Sequence, residues 1–262
     1  MFPDDPATTY IADSVPAIKA ADLNSIQKEL GKISGASLGR LYYGWREEFD
    51  FPMAAYVNTA AVLISGRGMS LGDEASPSTG TLSNLKVKTN TYSAPDGIFG
   101  FLSLVQDGTG ASAVGEIAGP YVPIGTREFK FGFRMKVKTK ANLATHGGLI
   151  ASLKLNGSGR SGLQPHEWPG FYAENGSANW IVGGATAVYD SGVAVSDDTY
   201  YSFEIVRVGT ALSFWINGAQ VHSETASGSI NGTVAITLNG NVLTDNTEYA
   251  AVDNIYLGSV RP

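Results

Sequence analysis

From residue 129 to residue 138 the chain reads FKFGFRMKVK. Phe129, Phe131, Phe133, Met135 and Val137 take every second position, and Lys130, Gly132, Arg134, Lys136 and Lys138 fall between them. A period of two is that of a β-strand with one dry and one wet face. Further strands are predicted at 98–105, 148–155, 169–174, 178–183, 200–208, 233–238 and 249–258. In ALSFWINGAQVHSE, residues 211–224, Leu212, Phe214 and Ile216 alternate with Ser213 and Trp215 up to Asn217-Gly218. Asn-Gly supplies the two positive-φ residues of a type I′ turn, so this stretch predicts a β-hairpin with Ile216 opposite Ala219. Many short strands with turn residues between them predict a sandwich or barrel rather than a parallel α/β sheet. Residues 65–84 (SGRGMSLGDEASPSTGTLSN) read as a long loop or irregular crossover.

The first 40 residues have another rhythm. Within AADLNSIQKELGKI, residues 20–33, Leu23, Ile26, Leu30 and Ile33 are spaced to share one helical stripe. Asp22 suits the positive end of the helix dipole, and Gly31 is a stop signal that places Ile33 at or beyond the end. A helix of about three turns is marginal alone in water, so it has to dock on its own sandwich, on another copy or on another protein. Residues 1–40 therefore read as an arm and attachment helix, and residues 41–262 as one β domain.

Composition narrows the function classes. With 32 glycines in 262 residues, tight turns are expected throughout. No apolar run approaches the ~20 residues of a membrane helix, and MFPDDPATTY lacks the basic start and apolar core of a secretory signal. The absence of cysteine removes disulfides, thiolate zinc sites and a cysteine nucleophile. A net charge of −6 gives no general reason to bind nucleic acid or an anionic membrane.

Two stretches resemble known families. YYSFEIVRVGTALSFWINGAQVHSE, followed by YAAVDNIYLG, resembles the C-terminal half of concanavalin A-like jelly rolls. That superfamily holds laminin G-like modules, legume-type lectins and retaining laminarinases. The resemblance implies an all-β jelly-roll β-sandwich whose last strand, carrying Asp253-Asn254, pairs with an early strand; EEFDFP, residues 47–52, fits that part. AADLNSIQKEL resembles the short helix that opens many bacteriophage tail and fibre proteins. It implies a virion location, other virion proteins as partners through the N-terminal segment, and a homo-oligomer, a trimer being the usual symmetry of fibres. Tail fibre and capsid decoration both fit.

Retaining laminarinases carry their carboxylates as Glu-x-Asp-x-Glu on one strand, which aims all three into one cleft. Glu48-Phe49-Asp50 begins that pattern, but Phe51, Pro52 and Met53 follow; Asp197-Asp198 and Asp4-Asp5 point to opposite faces of extended chain. The protein is accordingly expected not to be an enzyme. His146, His166 and His222 lack metal-ligand spacing, and no cofactor is expected. Calcium is the exception weighed, with Asp96, Asp107, Asp245 and Asp253 as its candidate ligands. For a glycan, QPHEWPGFYAENGSANW, residues 164–180, gathers Trp168, Tyr172 and Trp180 with Glu167 and His166. The other reading makes Phe171 and one tryptophan core. Trp215, out of phase with Leu212, Phe214 and Ile216, is either a second stacking platform or lies under the arm. Lys130, Arg134, Lys136, Lys138 and Lys140 form a cationic stripe, read as a solvated face or as a surface for an acidic partner or anionic glycan. The expectation is a non-enzymatic phage structural protein whose N-terminus attaches it to the virion and whose jelly roll meets a surface glycan. The alternatives are a free carbohydrate-binding or adhesion module, and a glycan hydrolase with other carboxylates.

Overall fold

The computed structural model describes residues 41–47, 49, 62–63, 70–71, 85–94, 97–122, 124–145, 148–155, 169–184, 187–226, 228–230 and 232–260. The stripe of Leu23, Ile26, Leu30 and Ile33 lies outside them. In chain order the strands are β1 (Leu41–Glu47), β2 (Val62–Leu63), β3 (Ser70–Leu71), β4 (Leu85–Ala94), β5 (Gly97–Gln106) and β6 (Ala113–Val122). Then come β7 (Phe129–Val137), β8 (Leu149–Leu155), β9 (Gly170–Ala173), β10 (Asn179–Gly183) and β11 (Val188–Ala194). The last five are β12 (Tyr201–Val208), β13 (Ala211–Ile216), β14 (Ala219–Thr225), β15 (Gly232–Gly240) and β16 (Glu248–Val260). The helical content among the described residues is one 3₁₀ turn, Lys140–Asn142.

These strands build two antiparallel sheets. The first runs β14-β13-β12-β7-β16-β5-β4, with β1 also on β16; the second runs β11-β10-β9-β8-β15-β6-β3-β2. The architecture is a jelly-roll β-sandwich. Period-two patterning decides which side chains meet between the layers. Phe131, Phe133, Phe203 and Phe214 come from the first sheet, and Phe171 and Trp180 from the second. Phe203 is the hub: Phe133 stacks on it at 5.0 Å, Phe171 tilts at 4.9 Å and Trp180 meets it edge-on at 4.7 Å. Each such pair contributes about 0.5–1.5 kcal/mol beyond its burial.

The hairpin forms as expected, with Ile216 opposite Ala219 and with Asn217 and Gly218 at φ +51° and +77°. The turn also docks sideways, because the Ser202 N–H donates to Asn217 Oδ1 and the Asn217 N–H donates to the Ser202 carbonyl. The final strand differs from expectation in two ways. Its early partner is β1, Leu41–Glu47, rather than 47–52, most of which lies outside the described residues. It is also longer than the predicted 249–258, running over Glu248–Val260, with a register shift after Asp253 where Asn254 turns to φ +49°. That shift lets one long strand serve two neighbours: β5 pairs with residues 248–252 and β1 with 255–260.

Candidate functional site

The outer face of the second sheet presents a row across six strands: Asp190, Ile181, Tyr172, Ile150, Thr237 and Glu116. Beside it runs a row of small residues, Gly183, Gly170, Ser152 and Ala235. The middle is covered: Ile150, Ser152, Tyr172, Ala235 and Thr237 are each under 5% exposed. The exposed carboxylate of this row, Asp190, stands at the β10–β11 end. There Asn179 Nδ2 donates to Asp190 Oδ1 at 2.9 Å and to Oδ2 at 3.1 Å. The Gly192 N–H donates to the same Oδ1 at 2.7 Å. Gly192 takes φ +71°, which turns the β11 backbone at its bulge onto the carboxylate. Asp190 is thus an exposed acceptor held in one orientation. At the far end Glu116 meets Thr237 Oγ1 at 3.5 Å. Five strand spacings of ~4.8 Å put it roughly 24 Å from Asp190, beyond the about 5–9.5 Å that lets two carboxyls work across one glycosidic bond.

The residues singled out in the sequence divide. Tyr172 is on this outer face; burial pushes its phenol up, and the neighbouring Glu174 charge adds to that. Trp180 has to be corrected. It is fully buried, with Tyr201 edge-on at 5.4 Å and Phe203 at 4.7 Å, so no ring face is left for a sugar. Trp168, Glu167 and His166 lie outside the described residues; in sequence they precede Pro169 and β9. Trp215 is part-exposed on the outer face of the other sheet, where its Nε1 donates to Ser213 Oγ at 3.0 Å. Missed in sequence were Asn179 and Asp190. A bulge between Asn179 and Ile181 brings them together, and no local motif announces a cross-strand pair.

The calcium candidates meet a different cation. Asp245 and Asp107 do converge, but around the Lys86 ammonium, at 2.6 and 3.3 Å. Asp253 lies 3.6 Å from Arg134 Nε, and Asp96 is outside the described residues. No group of three or more His, Asp or Glu suited to a metal occurs among the described residues. The cationic stripe is likewise matched from within the chain. Lys130 pairs with Glu204 at 2.7 Å, and Asp198 takes Lys136 and Lys138, each at 2.6 Å. Lys140 Nζ donates to the Ser177 carbonyl. Of the two readings, the structure favours a face whose charges are spent at home.

Neither a family model nor a curated relative matches the sequence. Solved structures similar in fold include domain 4 of the arabinanase AbnA from Geobacillus stearothermophilus, in complex with arabinotriose. It is 14% identical over 82% of this chain and 91% of that one, with a TM-score of 0.45. Bacillus licheniformis β-glucanase is 12% identical over 83% and 98%, with a TM-score of 0.41. The CBM2 module of the evolved Dit of Lactobacillus casei BL23 phage J-1 is 14% identical over 84% and 98%, with a TM-score of 0.45. These matches correct the expectation that the chain is not an enzyme: the similar folds include a glucanase, and a missing Glu-x-Asp-x-Glu strand is too narrow a ground for exclusion.

Proposed function

We propose that this chain recognises a glycan on its jelly roll and is held on a phage particle by residues 1–40. The observation that supports the first part is the exposed Asp190 carboxylate, fixed by three hydrogen bonds from Asn179 and Gly192 beside Ile181. Such an acceptor takes sugar hydroxyls without first having to be ordered. Trp168, Glu167 and His166, close in sequence to β9, belong to the same proposal as aromatic and polar contributors. The second part is supported by the apolar stripe of Leu23, Ile26, Leu30 and Ile33, which needs a surface to cover it. Multiple copies, three in a fibre, suit such an anchor.

The test uses the full chain in native gels cast with laminarin, linear arabinan or mannan. Retardation is expected on at least one, and Asp190→Asn combined with Asn179→Ala should weaken it about tenfold. Reducing ends measured in the same incubations show whether the recognised bond is also cut. Ile26→Asp with Leu30→Asp should abolish incorporation into particles and leave retardation unchanged; normal incorporation would defeat the anchoring half.

A further inference from the structure

We propose a second saccharide subsite on the opposite face of the sandwich, with Trp215 as stacking platform and Glu204 as hydroxyl acceptor. It rests on the reading that the chain recognises a glycan. On the outer face of the first sheet the register sets Gln220, Trp215, Glu204, Gly132, Tyr256 and Arg46 in one row. The bond from Trp215 Nε1 to Ser213 Oγ, two residues back on the same face, turns the indole along its own strand. The ring is part-exposed, and no aromatic ring is stacked on it among the described residues.

Glu204 stands directly opposite Trp215, so the two Cβ atoms are roughly 5 Å apart. Its Oε1 is held from two sides, by the Tyr256 hydroxyl at 2.7 Å and by Lys130 Nζ at 2.7 Å. Tyr256 reaches it because Gly132 has no side chain: a Cβ there would lie 2.3 Å from the Tyr256 ring. The Glu204 side chain keeps 35% of its surface exposed, and both of these bonds go to Oε1, which leaves Oε2 as the acceptor on offer. Exposed Gln220 flanks the ring on its other side, with an amide that both donates and accepts. A sugar ring stacked on the indole would set its edge hydroxyls between these two polar groups.

Charge decides the class of sugar. Lys130, Arg134, Lys136 and Lys138 on this face each have a carboxylate within 4 Å, at Glu204, Asp253, Asp198 and Asp198 respectively. An anionic sugar would find Glu204 and no unspent cation among them, and Arg46 at the end of the row bonds to Asn254 Oδ1, so the sugar taken is an uncharged one.

The experiment is the same retardation series in laminarin, linear arabinan and mannan, run on full-length variants. On the polysaccharide that retards wild type, Trp215→Ala is expected to cut affinity at least tenfold, Trp215→Phe less, and Glu204→Gln several-fold, with melting midpoints unchanged. Should Trp215→Ala not fold, Trp215→Phe and Glu204→Gln carry the comparison. Affinity equal to wild type in these variants overturns the subsite and leaves the glycan reading standing. Wild-type migration unaltered by all three polysaccharides overturns both.

Discussion

Arg207 is a buried cation whose described hydrogen bonds all go to backbone oxygen. At 2% exposed, its guanidinium donates to the carbonyls of Gly209, Gly125, Gly228 and Ala226. The planar fork of an arginine suits such a task, since it can serve several acceptors at fixed angles without reorganising. Arg207→Met keeps much of the stem but leaves carbonyls from three loops without their donor. A loss of about 3 kcal/mol is expected, read as a lower urea midpoint with unchanged slope. The alternation of 200–208 already put Arg207 in phase with Tyr201, Phe203 and Ile205, so its inward direction was legible. Its partners were not, because carbonyls from distant loops leave no mark on residue identity. Trp180 shows the converse. Its aromatic character was plain in the sequence, but whether such a ring meets a sugar or Phe203 depends on which face its strand turns inward.

At the level of strands, legibility followed the contrast between faces. β7, β12 and the β13–β14 hairpin alternate sharply and were read closely. β4, β6 and β11 do not stand out in the sequence, the last two for physical reasons. β11 is an edge strand that alternates only between exposed and half-covered. β6 carries Gly119 and Pro120, which argue against a central strand. The register resolves the conflict: Thr233 faces Tyr121 and Ala235 faces Ala118, so Gly119 and Pro120 share a bulge opposite Val234. Between β7, β12 and β16, the empty Gly132 position lets Tyr256 lie across the sheet to Glu204. Burial, and secondarily the bond to Glu204, push the Tyr256 phenol up, so it stays a proton donor through neutral pH. Gly132→Ala should displace that ring and free Glu204. The expected result is a cost of roughly 1–3 kcal/mol in a thermal melt, with a Tyr256 phenol that ionises at lower pH than in wild type.

Across the whole molecule, two lysine–aspartate clasps set the response to acid. Hydrogen bonds from Lys136 and then Lys138 hold Asp198 below the usual carboxylate range, and Lys86 does the same for Asp245. For Lys86 itself burial acts to lower the pKa, but bonds and charges from Asp245 and Asp107 outweigh it and the net shift is upward. A lowered carboxylate stabilises the fold above its unfolded value of about 3.9, and that contribution is lost as pH falls through the lowered one. Asp198→Asn with Asp245→Asn should therefore melt below wild type at neutral pH, and the gap should narrow as pH falls below about 3.9. A gap constant down to about pH 2 would contradict that account. The order in which the pieces of the first sheet arrive has a consequence for biosynthesis. β7, β5 and β1 all pair through β16, so they have no common neighbour until residue 260 has left the ribosome. Until then the phenylalanine face of β7 has only β12 beside it in its sheet, and the nascent chain carries sticky, half-built surface. Slow synthesis or truncation just short of β16 would be punished by aggregation rather than by a merely weaker fold.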